Sequence, residues 1–164
     1  MNVIRTANGE DTLSIVQLVK VMIGDQNPDE VACKIVQDFF ANLQFAVFVC
    51  EEKSEVKGFA VSKLESFEGA NGVSEIVWLG IEQKYKRQGL GTLLVHHIEQ
   101  YATENGIRKL YIKINSSNTK AACFWIMQNY EFEARLLDFG WEGHDDYLLG
   151  KNLSKDQSII SSST

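Results

Sequence analysis

The sequence predicts a mixed α/β fold, and three observations carry that reading. Short β-rich runs alternate with amphipathic helical stretches. A strand–helix–strand unit in the middle calls for a local parallel pair joined by a right-handed crossover. Runs joined by a short polar turn must instead be antiparallel neighbours. The 164 residues suit one domain, read as 1–151, followed by a flexible tail at 152–164. No internal repeat or linker interrupts it, and Ser158 to Thr164 is the low-complexity end expected to fray.

Val3-Ile4-Arg5-Thr6 forms a first strand. Asp11 or Thr12 then caps a helix carrying Leu13, Val16, Leu18 and Val19. Asn27-Pro28 opens a second helix, with Pro28, Asp29 and Glu30 suited to its first turn and Val31, Ile35, Phe39 and Phe40 on its buried face. Phe45 to Cys50 and Val56 to Leu64 make a hairpin across Glu52-Lys53-Ser54-Glu55. After a loop with Gly69 and Gly72, Glu75 to Ile81 reads as a central strand, and Gly80 within it signals a bulge or a close backbone approach. Leu94, Ile98, Tyr101 and Ala102 share one face of a helix that stops at Asn105-Gly106. A strand at Lys109–Ile114, a helix at about 119–128 and strands at Phe132–Leu137 and Asp146–Leu149 complete the order.

Composition narrows the function. Hydrophobic residues at 45% and charged residues at 23% give a globular balance. No apolar run reaches the roughly 18–20 residues that span a bilayer, and Met1 to Glu10 lacks a signal-peptide pattern. Cys33, Cys50 and Cys123 form no C-x-x-C pair, so they read as reduced, mostly buried thiols of a cytoplasmic protein. A net charge of −6 argues against nucleic acid as a partner and is compatible with a cationic one.

The informative segment is Tyr85-Lys86-Arg87-Gln88-Gly89-Leu90-Gly91-Thr92, between an apolar strand and an amphipathic helix. N–H groups at a helix start are unpaired and carry the positive end of the dipole, and glycines let the chain approach an anion, so the loop can hold phosphate. Lys84, Lys86 and Arg87 add positive charge to it. The phosphate loop of nucleotide hydrolases is absent, and the dinucleotide fingerprint fails because Leu94 stands where its third glycine belongs.

Lys86-Arg87-Gln88-Gly89-Leu90-Gly91 resembles the signature [QR]-x-x-G-x-[GA] of the GNAT superfamily of N-acetyltransferases, with Lys86 at a position usually Gln or Arg. Asn118-Thr119-Lys120-Ala121-Ala122-Cys123-Phe124-Trp125, followed by Asn129-Tyr130, is similar to a second block of that family, N-x-x-A-x-x-F-Y…G-F. The resemblance covers about residues 1–151. It implies a mostly antiparallel twisted sheet, splayed at a parallel pair of the fourth and fifth strands, with helices on both faces. It also implies acetyl-CoA as co-substrate. Pyrophosphate would lie on Lys86, Arg87, Gln88, Gly89, Leu90, Gly91 and Thr92, pantetheine in the splay against Leu79, Gly80 and Ile81, and Asn118, Phe124 and Trp125 close by.

Acetyl transfer to an amine needs a neutral amine, a stabilised oxyanion and departure of a thiolate. Glu75, fourteen positions before Gly89, stands where histone-acetyltransferase-type members of the family look to carry their base, and burial beside Trp78 would suit it to that role. A solvated or salt-bridged strand-start glutamate is the plain alternative. The Leu79 N–H is the expected oxyanion donor. Trp125 replaces the family's usual Tyr, and an indole N–H cannot protonate a thiolate, which leaves Tyr130 and Tyr147 as unselected substitutes. His96 and His97 are adjacent and point about 100° apart, so no metal site is expected there. His144-Asp145-Asp146 reads as a polar hairpin turn, and Cys123 as a buried thiol. The expected activity is direct acetyl transfer in a ternary complex to a small-molecule or peptide amine, with no membrane partner and with a homodimer allowed. The alternative is a non-catalytic acetyl-CoA sensor.

Overall fold

The computed structural model describes residues 1–64 and 71–153. The elements run β1 (Val3–Thr6), α1 (Thr12–Ile23), α2 (Asp29–Ala41), β2 (Phe45–Glu52), β3 (Glu55–Lys63), β4 (Val73–Ile81), α3 (Leu90–Glu104), β5 (Lys109–Asn115), α4 (Thr119–Met127), β6 (Glu131–Trp141) and β7 (His144–Asn152). Strand order is β1-β2-β3-β4-β5-β7-β6. β4 and β5 are parallel, pairing Val73 with Lys109 through Glu75 with Tyr111, as the crossover rule requires. The fold is thus the mixed α/β class that the sequence predicts. The chain divides into two compact units, residues 1–64 with 76–98, and, of those described, 71–75 with 99–153. The tail from Ser158 onward and the loop around Gly69 lie outside the described residues.

In the first unit the β2–β3 turn is two residues long, Lys53 and Ser54, both with positive φ (52° and 63°), the backbone that matches the twist of a tight hairpin. β2 is covered on both faces. Val47 and Val49, with Phe59 and Val61 of β3, pack on α1 (Ile15, Val16, Leu18, Val19) and α2 (Ala32, Val36, Phe39). Phe48, of opposite parity, meets His97 of α3 with ring centroids 4.9 Å apart. Leu13 and Val31, expected on the buried faces, are exposed: Leu13 lies 200° round α1 from buried Ile15, and Val31 lies 100° round α2 from buried Ala32. Asp11 precedes α1 but makes no cap bond to it. It closes a capping box with Asn8 around the preceding 3-10 turn and takes two hydrogen bonds from Arg5 at 2.8 and 2.9 Å. The Arg5 bonds hold its carboxyl below the usual carboxylate range.

The second unit is built on the antiparallel pairs β5–β7 and β6–β7. α3 ends as predicted at Asn105-Gly106, with Gly106 at φ 74° and the paired bonds Gly106 N–H to Thr103 O and Ile107 N–H to Ala102 O. The β6–β7 turn falls at Glu142-Gly143, so His144-Asp145-Asp146 is not the turn but the start of β7. Asp145 is occupied there, accepting from Arg135 and from the Asp138 N–H. The cysteine expectation holds only for Cys50; Cys33 and Cys123 are exposed. Cys33 lies 100° round α2 from Ala32, off the buried stripe, and Cys123 lies 200° from buried Trp125 on α4.

Candidate active site

The loop of the first unit has the backbone an anion site needs. Arg87 and Gly89 both have positive φ, 62° and 80°. No atom lies within 4 Å of where a Gly89 Cβ would stand, so glycine there serves the dihedral angle and not a tight contact. Among the described residues, the N–H groups of Arg87, Gln88, Gly89, Leu90, Gly91 and Thr92 have no backbone or side-chain acceptor. Leu90, Gly91 and Thr92 open the 15-residue α3 and the other three lead into it, where the helix dipole adds its positive end. Buried Leu90, Leu94, Val95 and Ile98 anchor this end of the helix. Lys84 contributes less charge than its type suggests, being paired with Glu55 at 2.8 Å and Glu82 at 3.2 Å. Lys86 and Arg87 are exposed and form no ion pair among the described residues.

Upstream, Gly80 marks the close approach that the sequence suggests. A Cβ there would stand 2.7 Å from Met22 Sδ and 2.7 Å from Phe59 Cε1. Adjacent Val77 and Trp78 both pack on the same core cluster, which strict alternation along a strand forbids and a bulge produces. Leu79 and Ile81 are half-buried on either side of Gly80.

In the second unit Glu75 is held by two β5 side chains. Tyr111 OH donates to Glu75 Oε2 at 3.0 Å, and Lys113 Nζ lies 3.2 Å from Oε1. The Glu75 side chain is 13% exposed and ion-paired with Lys113, which is the salt-bridged form of the plain alternative. Lys113 also stands over the Phe139 ring, 5.1 Å from its centroid. Sequence reasoning missed Tyr111 and Lys113. The available signal was the alternation Lys109, Tyr111, Lys113 along one strand, but only the observed register of Glu75 opposite Tyr111 gives it meaning.

α4 is fixed at both ends. Asn118 Oδ1 caps it, accepting from the Ala121 N–H at 3.1 Å. Its C-terminus uses Asn129 at φ 64° where the family pattern has Gly, with Asn129 N–H to Ile126 O and Tyr130 N–H to Trp125 O. Trp125 is 5% exposed, with its ring 4.9 Å from that of Tyr130, and Phe124 is half-buried beside it. Tyr130 is 1% exposed, and burial, with Glu99 nearby, pushes the pKa of its hydroxyl well above the ordinary value. Tyr147 packs on Phe132, with centroids 5.3 Å apart. Among the described residues no cluster of three or more His, Cys, Asp or Glu could hold a metal ion. No helix there is long and apolar enough to cross a membrane.

A model of the acetyltransferase (GNAT) family matches residues 19–128, and the chain belongs to that family. No curated protein sequence shows a significant match. The fold is similar to that of the ribosomal-protein-alanine N-acetyltransferase of Brucella melitensis, at 19% identity and TM-score 0.77 over 92% of this chain and 99% of that one. It is similar to an aminoglycoside 6′-N-acetyltransferase complexed with coenzyme A, at 14% identity and TM-score 0.78 over 92% and 97%. It is also similar to Arabidopsis thaliana NAA60 in complex with acetyl-CoA, at 17% identity and TM-score 0.76 over 94% and 99%. At these identities the likeness establishes the fold.

Proposed function

We propose that the protein is an N-acetyltransferase that moves acetyl from acetyl-CoA to the primary amine of a small molecule or peptide, by direct attack in a ternary complex. The observation that carries this reading is the run of six unpaired N–H groups from Arg87 to Thr92 at the start of α3. Their fit to a pyrophosphate rests on successive free donors, a left-handed glycine and two cations that form no ion pair among the described residues. The coenzyme in two of the structural neighbours supports the same choice.

Acetyl-CoA, when bound, supplies an acyl thioester. The chain's own residues do the rest. Amides 87–92 hold the pyrophosphate, and the Leu79 N–H is the donor for charge that develops on the carbonyl oxygen. Glu75 takes the amine proton, directly or through water, while Tyr111 and Lys113 fix the orientation of its two oxygens. No side-chain acid is assigned. A thiol with a pKa near 8–9 leaves as thiolate at a workable rate near neutral pH, and Trp125 is packed away against Tyr130. The cytoplasmic setting belongs to this reading, in keeping with three free cysteines.

Release of free thiol from acetyl-CoA across a panel of primary amines tests the proposal. Amine-dependent release that falls about 10²-fold in Glu75→Gln is expected. Tight acetyl-CoA binding with no release for any amine would make the protein a sensor instead.

A further inference from the structure

Within the first unit, an open groove of about 720 Å³ runs along the C-terminal end of α2, with Ile35, Asp38, Phe39, Leu43, Phe45 and Trp78 in its lining. That volume is in the range of small-molecule sites. Its floor is aromatic: Phe39 meets Trp78 edge-on at 6.0 Å and Phe45 at 5.7 Å.

Among the described residues that line the groove, Asp38 is the charged one. The exposed carboxylate of Asp38 makes no ion pair or hydrogen bond among the described residues. The last turn of α2 holds no basic side chain, so the negative end of its dipole is uncompensated. Aromatic faces also favour a cation. One strand position links the groove to the chemistry, because Trp78 immediately precedes Leu79, the proposed oxyanion donor.

We propose that this groove holds the non-reacting ammonium of a diamine or polyamine acceptor. The amine that attacks must be neutral. A second ammonium on the same aliphatic chain stays charged, sits against Asp38 and the aromatic floor, and leaves the methylenes on Phe39 and Trp78. An apolar monoamine would gain the floor but forgo the carboxylate. The inference rests on the acetyltransferase reading for its catalytic test only.

The test compares 1,5-diaminopentane with n-pentylamine, which share a chain length and differ in one ammonium. The wild type should prefer the diamine by about tenfold in kcat/KM, from an exposed ion contact and a cation–π contact together. Asp38→Asn should reduce that ratio about threefold or more, and Asp38→Glu should restore most of it. A wild-type ratio below two, or a ratio unmoved by Asp38→Asn, overturns the proposal. Calorimetric titration of 1,5-diaminopentane into the protein separates the two readings. Binding that weakens in Asp38→Asn upholds the groove even if no amine is ever acetylated, a result that would sink only the catalytic proposal. Equal binding by both proteins overturns the groove.

Discussion

The loop at 86–92 and the Glu75 cluster are built on opposite plans. The loop presents main-chain N–H groups, whose direction is set by two left-handed residues and a helix start. The Glu75 cluster works through side chains alone, a carboxylate gripped by a phenol and an ammonium from the neighbouring strand. A site made of backbone leaves a trace in the sequence as glycine spacing. A site made of side chains on two strands leaves none until the strand register is known.

The contrast predicts different responses to mutation. The largest effect should come from Gly91→Asp, which sets a carboxylate at the pyrophosphate. CoA affinity by calorimetry should fall at least about 10²-fold, the order of an unpaired charge. An acidic side chain in a first helical turn is favourable for the helix, so Tm should hold or rise slightly. Unchanged affinity would remove the loop from the site.

Glu75→Gln comes next. It should lower kcat about 10²-fold with acetyl-CoA affinity nearly intact, the reverse of the loop variant. A wild-type kcat would return Glu75 to a structural role. Gly89→Ala is a milder backbone probe. With open space around the Cβ, only the positive φ resists, at a cost of about 1 kcal/mol, so CoA binding should weaken several-fold and not disappear. Lys113→Met should lower kcat about three- to tenfold, the order of one half-buried ion contact and its orienting effect, with CoA affinity unmoved. The smallest catalytic effect belongs to Trp125→Phe. It should leave kcat nearly unchanged while lowering Tm by a few degrees, through the lost contact with Tyr130 at the end of α4. A collapse of kcat in this variant, with folding and CoA binding intact, would give the indole a role in the chemistry.

The sequence made most of the fold legible where local chemistry decides. Gly106 and Asn129 stop α3 and α4 because left-handed caps need such residues, and the Lys53-Ser54 turn lies inside a recognisable polar break. It failed where packing decides. Leu13 looked like core but lies on the face of α1 opposite buried Ile15, and Cys33 and Cys123 looked buried by type alone. The left-handed backbone at Gly89 was readable from the loop pattern, while the base role of Glu75 is a proposal that the family resemblance suggested. Tyr111 and Lys113 were not readable, since a one-residue slip between β4 and β5 would have turned both away from Glu75. Trp125 drew attention as a replacement for Tyr, yet its burial against Tyr130 follows from a helix-end motif that the pattern Asn129-Tyr130 only hinted at.

The most direct test of the central claim is an amide-resolved NMR titration of the ¹⁵N-labelled protein with CoA. The account predicts that the N–H signals of residues 87–92 move downfield most and gain protection from hydrogen exchange, as free donors acquire phosphate oxygens. CoA binding that leaves these six amides unshifted and unprotected would contradict it.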